Sequence, residues 1–266
     1  MQTFVINLKR ASKRREFMEN QLHKLNMPYQ IFEAVDGKTL KQGFINQYCH
    51  KEMMEKHADW LTLGMVGASL SHFYLYQHIV ANNIAVAFIL EDDIVLTSEV
   101  VNILNFIEQN ETKFSKFEPI LLYYASHSTL KLSNYQSIKL SNNYQALYPH
   151  NLALVGSSAA YIIFNETAKK MVDVILPIRV APDAWTSFYG WNGLNNIRCV
   201  FPTVLKPAPF ESQIGYIDNT FLGKVKNVLN LNNIYPFSAI LEERRRKIAT
   251  KMVDYILVND KPISGK

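Results

Sequence analysis

TFVINL at positions 3–8, a basic stretch at 9–15 and YQIFEAVDG at 29–37 together decide the fold. The first run is short, β-branched and aromatic, which is the pattern of a buried strand. Ser12 is placed to cap a helix that carries Phe17, Leu22 and Leu25, and Pro28 stops it. Residues 29–35 return to strand character and close on Asp36-Gly37, a turn dipeptide. A strand, a helix and a second strand in succession predict a parallel α/β sheet.

Outward from this unit, residues 38–62 read as loop with some helix. Residues 64–82 space Val66, Leu70, Phe73, Tyr76 and Val80 at helical intervals. IAVAFIL at 84–90 is the most apolar strand in the chain, expected to be central and covered on both faces. Further strands are expected at 119–124, 157–164 and 198–204. Helices are expected around 103–107 and after Asn165, where Asn165 is the cap and Pro177 the stop. Residues 127–143, rich in Ser, Asn and Lys, read as a surface loop or flap. Residues 238–257 read as a basic amphipathic helix with Leu241, Ile248, Met252 and Ile256 on its apolar side. The expected organisation is one α/β domain over 1–237, a mixed and mostly parallel sheet flanked by helices, and a helical extension over 238–266.

The 266 residues are 48% hydrophobic and 19% charged, which suits a globular core and leaves no run long enough to span a bilayer. At the N-terminus the basic residues follow the apolar stretch and no cleavage region comes after, so it is not read as a secretory signal. The expected location is the cytoplasm. Cys49 and Cys199 form neither a disulfide framework nor a zinc spacing. The net charge of +5 permits a phosphate-rich partner. Nucleic acid is not expected, because no recognition motif is present and the basic residues are not interleaved with aromatics.

Glu91-Asp92-Asp93 ends the most apolar strand, and ligands of open α/β sheets bind beyond such strand ends. Three adjacent carboxylates repel one another, and a divalent cation relieves the conflict. Oxygen donors favour a hard ion such as Mg2+ or Mn2+. Residues two apart on an extended segment point the same way, so Glu91 and Asp93 are expected to share a ligand, with Asp92 on the other side. A solvated strand exit is the alternative.

Several segments, in order, resemble glycosyltransferase family 25, the lipooligosaccharide galactosyltransferases and their collagen-glycosylating relatives. They are Phe4-Val5-Ile6-Asn7-Leu8-Lys9-Arg10 with Arg14, then Ala34-Val35-Asp36-Gly37. GMVGASLSH at 64–72 follows, then Ile89-Leu90-Glu91-Asp92-Asp93, GSSAAYII at 156–163, Ala181-Pro182-Asp183 and Glu211-Ser212-Gln213-Ile214. The resemblance covers roughly residues 3–215. It departs at Val66 and Ala68, where the family pattern has Ile and Cys, and at Ala181-Pro182, where it has Pro-Val.

The resemblance implies a GT-A-type domain, a UDP-sugar donor (most often UDP-galactose) and inversion at the anomeric carbon. It implies that Asp93 and Glu91 hold Mn2+ against the diphosphate. Asn7, Arg10 and Arg14 are expected near that diphosphate. Asp36 is either a uracil or ribose contact or a turn residue, and Asp92 is a further donor contact. Ser71 and His72 are either site or structural residues. Asp183 is the candidate catalytic base, with a helix N-cap as the alternative. Trp185, Tyr189 and Trp191 are either acceptor-stacking or core aromatics. The expected acceptor is a lipid-linked oligosaccharide on a bacterial surface-glycan pathway, with the basic helix at 238–257 on the anionic inner leaflet. A metal-dependent phosphodiester hydrolase and an inactive nucleotide- or glycan-binding module are the alternatives.

Overall fold

Strand β1 (Gln2–Asn7) buries every residue after its first, and its side chains divide between two cores. Phe4 and Ile6 join one apolar cluster, Val5 the other. This computed structural model describes residues 1–210 and 254–262. After β1 come helix α1 (Ser12–Lys24), β2 (Gln30–Glu33) and two short helices, α2 (Gln42–Tyr48) and α3 (Lys51–Lys56). The long helix α4 (Leu63–Ala81) leads to β3 (Val86–Glu91), β4 (Ile94–Val95) and α5 (Glu99–Gln109). Then follow β5 (Ile120–Ala125), β6 (Leu130–Lys139), β7 (Gln145–Pro149), β8 (Gly156–Phe164), α6 (Asn165–Ile175) and α7 (Trp185–Gly190). Strands β9 (Arg198–Phe201), β10 (Lys206–Pro207) and β11 (Tyr255–Val258) complete the described elements.

Nine strands form one sheet in the order β11-β6-β7-β9-β5-β8-β3-β1-β2. The β2-β1-β3 end is parallel, as the strand–helix–strand reading requires. The sheet is mixed and flanked by helices, as expected. Four pairings in this sheet are parallel and four are antiparallel among the described residues. Strand β8 runs antiparallel to both β3 and β5, so the sheet is mixed.

Helices cover both faces. Leu70, Phe73 and Tyr76 of α4 and Ala168 and Met171 of α6 pack with Ala87 and Ile89 of β3. Met18 and Leu22 of α1 and Val100, Ile103 and Ile107 of α5 pack with Phe88 and Leu90. Strand β3 is buried throughout apart from its last residue, Glu91, which matches the expected central strand. Cys49 and Cys199 are buried free thiols, and burial pushes Cys49 up to about 11.

Local corrections have identifiable causes. Ser12 is the first residue inside α1, not its cap. Asn165 likewise starts α6, and its amide donates to the Ile79 and Ile84 carbonyls, joining the α4–β3 connection to α6. Residues 130–139, expected in a loop, form β6. Its Leu130 and Leu132 enter the core while polar side chains face out, and β7 and β11 pair along its two edges. The helix expected at 238–257 lies outside the described residues, apart from its last four positions. There Tyr255–Val258 is a strand, pairing Tyr255 with Leu130 and Leu257 with Leu132. The Glu211–Ile214 motif lies outside the described residues.

Candidate active site

Two glycines set the near wall of the site. A Cβ on Gly67 would lie 2.6 Å from the Val35 carbonyl oxygen, and one on Gly37 would lie 1.8 Å from the Leu63 carbonyl oxygen. The turn after β2 therefore packs backbone against backbone on the first turns of α4, which only glycine permits. Ser71 locks the contact: its hydroxyl accepts from the Val35 N–H at 2.8 Å and donates to the Gly67 carbonyl at 2.7 Å. Its hydroxyl thus fastens the turn to α4, and Ser71 also lines the larger cavity described below.

Strand alternation distributes the acidic cluster. Ala87 and Ile89 face α4, and Glu91 continues that face, where it accepts from Ser158 Oγ at 2.7 Å and lies 3.5 Å from His72 Nε2. His72 is fully buried, and its Nδ1 is 2.8 Å from the Tyr161 hydroxyl, which is 2.6 Å from the Tyr76 hydroxyl. This chain of bonds fixes the ring that supports Glu91. The strand ends at Glu91 and a turn takes Asp92 and Asp93. Asp92 accepts from Asn7 at 2.7 Å and from Arg14 at 2.6 Å, and the same Arg14 nitrogen reaches Asp93 at 3.2 Å. Asp93 thus shares a cation with Asp92, because the turn breaks the alternation that would have paired it with Glu91 alone.

Burial, then the neighbouring Glu91 charge, pushes Asp93 up to about 7. Burial alone would raise Glu91 too, but its bond to His72, the charge of that ring and the Ser158 hydroxyl hold it below its ordinary value. Asp92 is almost wholly buried and works as the anchor of Asn7 and Arg14. Asp92→Ala removes the shortest bonds of a buried guanidinium and a buried amide and leaves them the longer ones, from Arg14 to Asp93 and from Asn7 to the Ala11 carbonyl. It is expected to destabilise the fold by about 3–5 kcal/mol, read by denaturant unfolding.

These residues open on a cavity of about 1170 Å³, whose lining includes Arg10, Lys13, Arg14, Lys38, His72 and all three carboxylates. Arg10 and Asp36 form an ion pair at its rim, and Asp36 also accepts from the Lys38 N–H. The bond from Arg10 holds the Asp36 carboxyl below its ordinary value. The Phe210 ring centre is 5.2 Å from the Arg14 guanidinium, on the same cavity.

A second cavity of about 430 Å³ shares Glu91 and Ala68 with the first and holds Asp183. Asp183 does not cap α7, whose N-cap is Ala184 with no side-chain bond. Its carboxylate instead accepts from the Ser157 N–H at 2.7 Å, and burial followed by the Glu91 charge raises its pKa. Ser157 holds this geometry at φ 86°, and Trp185 Nε1 donates to the Ser157 carbonyl. Trp185 is fully buried against Tyr161, and Arg179 lies 3.9 Å over the Trp191 ring. Neither tryptophan lines the two cavities, nor does Tyr189.

The donor set fits a hard divalent ion. Glu91 and Asp93 both line the larger cavity, and Arg14 offsets only part of the negative charge. Among the described residues no three His, Cys, Asp or Glu side chains are grouped to hold a metal. Ions of the Mg2+ type are commonly held by one or two carboxylates with water and substrate phosphates completing the shell.

Taken together, the parallel β2-β1-β3 edge and the acidic end of β3 define an α/β protein with its cleft at the carboxyl ends of its strands. The chain belongs to glycosyltransferase family 25, whose description as an LPS biosynthesis protein family matches residues 1–186. It is 25% identical over 94% of its length to a "Glycosyltransferase 25 family member" of Drosophila pseudoobscura pseudoobscura, covering 41% of that protein. It is 36% identical over 35% of its length to "Procollagen galactosyltransferase 1-A" of Xenopus laevis, covering 16% of that protein. It is 32% identical over a similar 35% to "Inactive glycosyltransferase 25 family member 3" of Mus musculus. The chain thus spans less than half the length of these curated relatives.

Sequence reasoning missed Ser158 as the donor to Glu91. Strict alternation in β8 would put Ser158 on the face opposite Tyr161, away from Glu91. The register breaks there: from Tyr123↔Ala160 to Ala125↔Gly156, β8 advances four residues while β5 advances two. Such an irregularity re-aims side chains. The GSSAAYII segment was legible as a strand, but the bulge was not.

Proposed function

We propose that this chain is an active GT-A-type glycosyltransferase that moves a hexose, galactose from UDP-galactose, onto a hydroxyl of a cell-surface glycan with inversion, giving a β linkage. The observation that carries this reading is the wall that Glu91 shares between two cavities, one rimmed by basic side chains and one holding Asp183. The first cavity takes the nucleoside diphosphate, with Arg10, Lys13 and Lys38 on its lining. Glu91 and Asp93 hold Mn2+ or Mg2+, and bound there the ion supplies Lewis-acid neutralisation of the charge on departing UDP.

Asp183 faces the acceptor. It takes the hydroxyl proton as the acceptor oxygen bonds to the anomeric carbon, and the bond from that carbon to the diphosphate oxygen breaks. Burial, with the Glu91 charge, raises its pKa, which is the direction that makes a carboxylate a stronger base. The Ser157 N–H orients it.

The acceptor in this reading is a lipid-linked oligosaccharide, as in lipooligosaccharide assembly. The enzyme works in the cytoplasm, at the inner face of the membrane, and a basic segment at 238–257 meets anionic lipid. Among the described residues no helix is long and apolar enough to cross a membrane.

The test is UDP release from a panel of UDP-sugars with Mn2+, with and without saccharide acceptor and EDTA. Acceptor-dependent, EDTA-sensitive release from one sugar nucleotide is expected. Release without acceptor would favour a hydrolase, and Mn2+-dependent UDP binding without turnover would favour an inactive module like the mouse relative.

A further inference from the structure

The two cavities differ in charge, and that difference carries a statement about the acceptor. The larger one is lined by Arg10, Lys13, Arg14 and Lys38 beside its acids. Among the described residues that line the smaller one there is neither lysine nor arginine, while Glu91 and Asp183 both reach it. We infer that the smaller cavity is the acceptor subsite and that it selects an uncharged pyranose end over an anionic one. This rests on the transferase reading above.

The lining offers both the apolar and the polar groups that a sugar ring can use. Leu154, exposed at 38%, Val155 and Pro182 are among its apolar lining residues. Ser126, His127 and Ser128 supply polar groups from the segment after β5. An apolar face with a few placed polar groups is the usual make-up of a small-molecule site, and about 430 Å³ falls within the usual range. A pyranose offers C–H groups on one face and hydroxyls at its edge. A carboxylate or phosphate on the same ring would meet Asp183 and Glu91 with no described lysine or arginine to receive it, His127 being the titratable cation on that lining among the described residues. Like charges brought together at an interface are strongly disfavoured, which here predicts discrimination on the order of 10- to 100-fold.

The experiment uses the full chain with Mn2+ and the sugar nucleotide identified by the panel. Methyl β-galactoside is compared with methyl β-galacturonide, and methyl β-glucoside with methyl β-glucuronide. Within each pair the acceptors differ only at the sixth carbon. A kcat/KM at least about tenfold higher for the neutral member of the pair that is used is expected. Leu154→Lys, which sets a cation at the cavity mouth, is expected to narrow that ratio several-fold. Equal use of the two members, preference for the anionic one, or turnover of a procollagen peptide in place of the saccharides would overturn the inference.

A failure of the donor reading is separable. If no UDP-sugar is turned over, saturation-transfer NMR of the same four glycosides still reports on the cavity. Binding of the neutral glycosides that Leu154→Trp abolishes supports the subsite. Absence of saccharide binding overturns it.

Discussion

Asp183→Asn lowers turnover by about 10²–10⁴-fold and leaves the affinity for UDP-sugar within a few-fold, the loss expected when a general base goes. The amide keeps the size of the side chain and can still accept from the Ser157 N–H, so the loop keeps its shape. What it loses is the capacity to take a proton. Asp183 lines only the smaller cavity, and this is why donor binding is spared. The measurement is kcat at saturating donor and acceptor, alongside UDP titration. Near-normal turnover removes Asp183 as base and leaves it as a loop anchor.

Asp93→Asn is expected to cost a similar factor, about 10²–10⁴-fold in kcat/KM, because stabilising leaving-group charge through a metal contributes several kcal/mol. Unlike Asp183→Asn, it also weakens metal-dependent UDP binding. Raising Mn2+ recovers part of the activity if Glu91 still binds the ion, whereas an unchanged dependence on Mn2+ would exclude Asp93 as a ligand.

The same variant has a signature in the metal-free protein. Folding lifts the Asp93 carboxyl from its ordinary 3.8 to about 7, through burial and the Glu91 charge. Between those values the folded chain binds more protons than the unfolded one, so the contribution of this group to stability falls as pH rises. Thermal melts of the metal-free protein are expected to lose ground between about pH 4 and about pH 7, and Asp93→Asn to flatten that loss. Parallel curves for the two proteins would show that the carboxyl is not held in this way.

The elements that local chemistry governs were legible in the residues alone. The strand–helix–strand start, the α4 helix and the apolar β3 strand all appear where periodicity and composition placed them. Arg10, Arg14, Asp36 and His72 line one cavity with the three acids at the end of β3, and Asn7 sits behind it as a donor to Asp92.

Long-range pairing escaped the local reading. Strand β6 looks like loop because most of its residues are polar, and its strand character comes from β7 on one side and β11 on the other. Residues 255–257 looked helical because an apolar residue every few positions satisfies more than one period. Pairing with Leu130 and Leu132 favours the extended form.

Side-chain identity determined by itself that a strand rich in apolar groups would end in three acids, and that basic residues would follow the first strand. Only the folded chain decided how those charges are shared. A turn after Glu91 joined Asp93 to Arg14, and an irregular stretch of β8 brought Ser158 to Glu91 and the Ser157 N–H to Asp183. The physical reason is that periodicity reports which face a side chain takes within one element. Electrostatic partners lie on other elements, and closing the sheet is what brings them within reach.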